Sequence, residues 1–206
     1  METVIELAKV KNLFSYEDYK KFVIECSEKN ATTGNEQLPE RIEATKINAQ
    51  RMKRIDKQIE LNVKTISMII NFNEKWKWIV LAESWCGDGA QNIPLIAKIA
   101  KHTPNIELKI ILRDENPEIM NMYLTNGSKS IPKLICINSK TTEEIGTWGP
   151  RPLKIQEMVK KYKTEHPYIS HDEFVKTLHF WYAKDKGESL QKDFVQLLGK
   201  WGKTKE

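Results

Sequence analysis

One stretch combines reactive residue types with a useful place in the chain: Ser84-Trp85-Cys86-Gly87-Asp88-Gly89. An apolar run, Trp78-Ile79-Val80-Leu81-Ala82, precedes it, and a helical pattern continuing to about His102 follows. Cys86 therefore falls where a strand ends and a helix begins. Backbone N–H groups in a helix's first turn lack partners within the helix, so they favour a negative charge, a thiolate included. Such a thiolate attacks a disulfide and forms a mixed disulfide. A dithiol centre would carry its resolving cysteine three residues on, but that position is Gly89. Asp88 opposes the thiolate, because its carboxylate gains from the same helix end and tends to raise the cysteine's pKa. Trp85 is expected to wall the thiol, and Gly87 and Gly89 leave room for another backbone.

The other two cysteines offer no substitute. Cys136 lies four residues beyond Pro132 on a strand, about 13 Å along it at ~3.3 Å per residue. A disulfide needs Cα atoms within about 7 Å, so Cys136 reads as strand core and not as a resolving thiol. Cys26 shares a helical face with Tyr19, Phe22 and Val23 and reads as a small buried hydrophobe. Three widely spaced cysteines fit neither a disulfide-stapled secreted domain nor a four-ligand zinc site. There is no Gly-rich phosphate loop and no His/Cys ligand spacing, so neither a metal nor a cofactor is expected.

The elements that must position Cys86 follow from periodicity and punctuation. A first amphipathic helix is predicted from Tyr16 to about Asn30, with Ser15 as N-cap. After the turn-rich Ala31–Asn35, apolar residues step by three or four from Leu38 through Ile42, Met52, Ile55, Ile59, Val63, Ile66 and Ile70. That spacing predicts one helix from about Pro39 to Asn71, ~50 Å long at 1.5 Å per residue. Its seam is expected to pack within the chain, with homodimerisation as the alternative use. Its basic cluster, Arg51, Lys53, Arg54 and Lys57, reads as a solvated face.

From Lys75 the texture alternates. Strands are expected at Trp76–Glu83, Ile106–Leu112, Ile131–Asn138 and Glu144–Trp148. Helices are expected at Cys86–His102, Pro117–Leu124 and Pro152–Thr164. The order β-α-β-α-β-β-α with a late hairpin implies an α/β architecture, a central mixed sheet flanked by helices. Beyond His166-Pro167, Ser170 and Glu173 form a capping box for a further helix with Phe174, Leu178, Trp181 and Tyr182 on one side. A last helix follows Lys186-Gly187. These aromatics read as core caps. The expected division is an N-terminal helical extension over residues 1–74, a central domain over 75–164, and a C-terminal helical extension over 165–206.

The central block resembles the thioredoxin superfamily. Trp85-Cys86-Gly87 follows a strand, Pro94 stands eight residues after the cysteine inside the helix, and Ile131-Pro132 opens the next-but-one strand. Trp85-Cys86-Gly87-Asp88 with Ala90-Gln91-Asn92 is similar, more closely, to a bacterial thioredoxin-like family with a monothiol Trp-Cys-Gly-Asp site and flanking helices. Arg113-Asp114-Glu115-Asn116, Thr125-Asn126-Gly127, Ser130-Ile131-Pro132-Lys133 and Trp148-Gly149-Pro150-Arg151-Pro152 share that likeness. The resemblance implies a thioredoxin-like fold in which Pro132 is cis and faces Cys86. The Ile131 backbone would then pair with an extended substrate, so Trp85, Gly87, Asp88, Ile131 and Pro132 become the expected substrate contacts around Cys86. Lys133 and Arg151 read as solvated charges.

Composition bounds the partners. With 33 Lys+Arg against 28 Asp+Glu the net charge is +5, and the basic residues are interleaved with acids. No nucleic-acid motif occurs, no apolar run approaches the ~20 residues that span a bilayer, and the N-terminus has no secretory pattern. A cytoplasmic protein without nucleic-acid or membrane partners is expected. Two functions fit. In the first, Cys86 performs monothiol thiol–disulfide exchange with a protein disulfide or a low-molecular-weight thiol, and an external thiol resolves the adduct. In the second, the fold is a redox-inactive binding or scaffolding module.

Overall fold

A four-stranded sheet organises the structure, a computed structural model that describes residues 10–202. The strands are β1 (Trp76–Ala82), β2 (Ile106–Leu112), β3 (Lys133–Asn138) and β4 (Glu144–Trp148). They form one sheet in the order β2-β1-β3-β4, with β1 parallel to β2 and antiparallel to β3, and β3 antiparallel to β4. The expected mixed α/β sheet is therefore present. Successive side chains on a strand point to opposite faces, and β1 is buried on both. Trp76, Trp78, Val80 and Ala82 enter the larger core, while Ile79 and Leu81 enter a second one containing Cys86, Ile131 and Ile135. Cys136 belongs to the larger core. It is thus turned to the other face of the sheet from Cys86, as its reading as strand core requires.

The helices are α1 (Tyr16–Glu28), α2 (Pro39–Gln58), α3 (Val63–Ile70), α4 (Gly87–Lys101), α5 (Pro117–Met122), α6 (Leu153–Glu165), α7 (His171–Asp185) and α8 (Glu188–Trp201). Ser15 caps α1 by accepting from the Asp18 N–H, and Ser170 with Glu173 closes a capping box on α7. Helices α1, α2, α3, α4 and α8 contribute to the larger core, and α5 covers the second. Helices α6 and α7 make a satellite cluster from Ile155, Val159, Phe174, Leu178 and Tyr182. Among the described residues no helix is long and apolar enough to cross a membrane.

The single helix predicted over Pro39–Asn71 is wrong: it breaks into α2 and α3. Ile59 and Asn62 take extended backbone angles, and the Asn62 side chain caps α3 by accepting from the Thr65 N–H. The carbonyl that ends α2, on Ile59, is taken by Lys98 Nζ, and the Asn62 N–H donates to Gln191 Oε1 at 2.7 Å. The break also shifts the apolar phase, so Thr65 and Ile69 are buried while Val63 and Ile70 are exposed. The seam of α2 packs within the chain: Thr45, Met52 and Ile55 are buried where α2 meets α1 and α4.

Candidate functional site

The junction between β1 and α4 is held by polar groups. Burial, with a smaller push from the Asp114 charge, raises the Glu83 carboxyl from its ordinary value, and hydrogen bonds from Thr33 Oγ1 and the Asp114 N–H partly offset this. Ser84 Oγ lies within 3.0 Å of Thr32 Oγ1 and 2.9 Å of Thr45 Oγ1, and accepts from the Thr33 N–H at 3.0 Å. Asn48 Nδ2 donates to the Ser84 carbonyl at 2.8 Å. The loop before α2 and one face of α2 therefore fix the turn that presents Trp85 and Cys86. Two guanidinium groups lie over the Trp85 ring, Arg41 at 4.4 Å and Arg113 at 4.7 Å from the ring centroid. Such stacking holds the indole in place.

Cys86 is the N-cap of α4. Its sulfur accepts from the Gly89 N–H at 3.4 Å and donates to the Ile131 carbonyl at 3.3 Å. The residue is only 8% exposed. Burial raises the thiol most, the Asp88 charge adds to it, and the helix-end N–H groups and Arg151 only partly oppose them, so the pKa stands at about 12. The three cysteines are all free. A Cβ built on Gly89 would lie 3.6 Å from Cys86 Cβ, so the position next to the sulfur has the room for a side chain and lacks one.

The Ile131–Pro132 peptide bond is cis, as is Gly149–Pro150. These two loops meet: a Cβ at Gly149, whose φ is +119°, would overlap the Pro132 carbonyl. This close approach requires glycine. Trp148 Nε1 and the Leu153 N–H both donate to Asp193 Oδ2 of α8, at 3.0 and 2.9 Å, which anchors the loop carrying Arg151.

Arg151 is no solvated charge. Its Nε bonds Asp88 Oδ1 at 2.9 Å and its Nη2 bonds Oδ2 at 2.6 Å, a two-point fork. Tyr182 Oη donates to Asp88 Oδ1 at 2.8 Å, and Asn92 Nδ2 donates both to Tyr182 Oη at 3.0 Å and to the Asp88 carbonyl at 2.8 Å. Burial raises the Asp88 carboxyl, and Arg151 and then Tyr182 pull it back. Lys133 is likewise buried, its Nζ bonded to Thr125 Oγ1 at 3.3 Å, and burial lowers its pKa. On the other side of the α4 start, His179 lies against Gly87, where a Cβ would come within 2.8 Å of Nε2. Its Nδ1 is 3.1 Å from Gln91 Nε2. Burial first, then Arg51, Arg54 and Arg151, bring the His179 pKa down to about 4.

The structure thus gathers Trp85, Cys86, Gly87, Asp88, Ile131 and Pro132 at one end of β1. It adds three groups: Arg151, expected as a solvated charge, Tyr182, expected as a core cap, and His179, which the sequence did not single out. Tyr182 does pack in a core cluster with Phe174 and Leu178, but its hydroxyl reaches Asp88. A signal for Arg151 existed, since a carboxylate buried in a helix's first turn needs a cation and Arg151 sits in a segment singled out for its likeness. Tyr182 and His179 carried no comparable mark. Among the described residues no three His, Cys, Asp or Glu side chains gather as a metal site.

Comparison with known proteins agrees with this architecture. No curated protein matches the chain. A solved protein of unknown function from Pseudomonas aeruginosa is 16% identical with a TM-score of 0.55, covering 90% of this chain and 98% of its own. An HIV epitope-scaffold is 15% identical with a TM-score of 0.53, covering 76% and 85% respectively. At these identities the likeness is one of fold. A family model described as thioredoxin matches residues 35–163, taking in α2 and α3 as well as the whole sheet. That match runs over more than half of the chain and through the Cys86 junction, and by it the chain belongs to the thioredoxin family.

Proposed function

We propose that this protein is a thioredoxin-fold binding module in which Cys86 rests as a protonated thiol and Trp85, Gly87, Ile131 and Pro132 form the contact face around it. The observation that carries the reading is the sulfur's environment: buried, beside the Asp88 carboxylate, with a pKa of about 12. At pH 7 a thiol of that pKa is ionised to about one part in 10⁵. Its thiolate would be the more nucleophilic for its high pKa, by roughly 40-fold at a Brønsted slope near 0.45. That gain does not offset a loss of ~3,000-fold in thiolate relative to an ordinary cysteine. Helices α1–α3 and α7–α8 serve in this reading as extensions of the central domain, and α7 lends Tyr182 to it.

The second reading, monothiol exchange, is favoured by one contact, the Gly89 N–H aimed at the sulfur. In that chemistry the Cys86 thiolate displaces one sulfur of a disulfide as a leaving thiolate. An external thiol then attacks the substrate sulfur of the mixed disulfide and displaces Cys86 as a thiolate, and a second external thiol releases that substrate sulfur, so the two external thiols end as a disulfide and the substrate disulfide gains their two electrons. Alkylation by iodoacetamide across pH 6–10 separates the readings. The module reading expects a rate well below that of a free cysteine throughout the range and still rising at its top. A plateau below pH 8, or Cys86-dependent mixed disulfides captured from cell extract at neutral pH, would establish exchange instead.

A further inference from the structure

A cleft of about 730 Å³ opens between the C-terminal half of α2, the α2–α3 turn, the end of α7 and the start of α8. Small-molecule sites commonly have this size. Its walls include Gln91 and Tyr182, the side chains that hold His179 and Asp88. A molecule in the cleft would therefore touch the groups behind the Cys86 centre.

The charges around the cleft are unequally engaged. Lys98 Nζ takes both the Ile59 carbonyl and Glu60 Oε1, the latter at 3.1 Å. Asp185 is engaged by the Ser189 hydroxyl and N–H. Glu188, exposed in the first turn of α8, also lines the cleft, has no ion pair among the described residues, and is favoured there by the helix end. Among the described residues no acid pairs with Arg54 or Lys186, both exposed at the cleft. Arg51 stands one turn before Arg54 on α2, a like-charge spacing that is unfavourable on a helix. Arg51's hydrogen bond goes to neutral Asn48, and burial, then Arg54, lowers its pKa. The surplus positive field also acts on His179.

We propose that this cleft binds a small carboxylate-bearing organic anion, gripped by Arg54 and Lys186 with the Gln58 amide beside them. Guanidinium offers a carboxylate two parallel donors. A planar carboxylate matches that fork with both of its oxygens. The proposal does not depend on whether Cys86 reacts. Citrate titrated calorimetrically into the full chain at low ionic strength is the test. It expects saturable binding at one site, weakened at least about fivefold by Arg54→Gln. Lys53→Gln removes the same charge from the adjacent, exposed position and should leave affinity within about twofold. Absence of saturable binding, or equal weakening by both variants, overturns the site. Tighter binding of inorganic phosphate than of citrate overturns the carboxylate assignment.

Discussion

A cysteine placed at Gly89 is expected to close a disulfide with Cys86. The Cβ it would add stands 3.6 Å from Cys86 Cβ and 3.8 Å from Sγ, inside the roughly 3.5–4.5 Å that disulfides require between Cβ atoms. The nearest other atom, Ile93 Cδ1 at 3.5 Å, is at ordinary contact distance, so the side chain enters without moving its neighbours. A ring closed over four residues restricts the unfolded chain by about 2 kcal/mol in the chain-entropy account. For a chain of this size that corresponds to a rise of about 4–8 °C in the unfolding midpoint of the oxidised over the reduced form. Thiol titration in denaturant gives the count: four thiols when reduced, the three native cysteines plus the new one, and two after mild oxidation. Four thiols persisting after oxidation in a natively folded sample would refute the geometry at the start of α4. It would also refute the claim that a missing side chain, and not a changed backbone, separates this site from a dithiol one.

Other variants test the charges. Asp88→Asn removes a carboxylate two residues from Cys86. At about 7 Å and an effective dielectric near 20 one charge is worth about 2 kcal/mol, or 1–2 pKa units. Iodoacetamide should then alkylate Cys86 about five- to tenfold faster at pH 7.5, after allowing for the weaker nucleophile, and an unchanged or slower rate in the folded variant counts against the electrostatic account. Tyr182→Phe deletes a buried bond to a charged group and should cost about 1.5–3 kcal/mol in urea unfolding, whereas an unchanged midpoint would mean that α7 does not support Asp88. The His179 pKa, about 4 against an ordinary 6.5, is depressed by burial and by Arg51, Arg54 and Arg151. The unfolded chain therefore binds this proton more readily, so the stability His179 contributes is complete above pH 6.5 and is lost as pH falls toward 4. Between pH 7 and 5 the native protein should lose about 1–2 kcal/mol more than His179→Gln, and equal losses would remove His179 from the buried cluster.

What the sequence made legible was local. Ser15, Ser170 with Glu173, and Pro117 mark helix starts through groups within three residues of one another, and the strands announce themselves by composition and length. Trp85-Cys86-Gly87, Pro94 and Ile131-Pro132 located the Cys86 junction for the same reason. The long helix over Pro39–Asn71 failed because apolar spacing continues across the break, whereas Asn62, an N-cap residue, was the only local sign of it. Arg151 and Tyr182 failed differently. Each meets Asp88 across a large separation in sequence; the need of a first-turn carboxylate for a cation pointed weakly to Arg151, whereas nothing in a helical tyrosine encodes which carboxylate it will meet. Such pairs are set by the docking of α7 and of the Gly149–Pro150 loop, which is a property of the whole packed chain.

That docking decides what the lone thiol is. The helix end alone would lower the pKa of Cys86, and the bond from the Gly89 N–H, long at 3.4 Å, is its visible agent. Against it stand burial, the Asp88 charge and the Ile131 carbonyl, which accepts the thiol's proton and would face a thiolate oxygen-first. Arg151 could have tipped the balance, but its guanidinium fork is given to Asp88, and it offsets the effect of that carboxylate on the sulfur only in part. Burial then goes unanswered, because desolvation of an ion in a low-dielectric site outweighs one weak hydrogen bond. A cysteine at a helix N-terminus is therefore no sufficient sign of a nucleophile. The sign must be read together with the charge that follows two residues later and with whatever that charge has already bound.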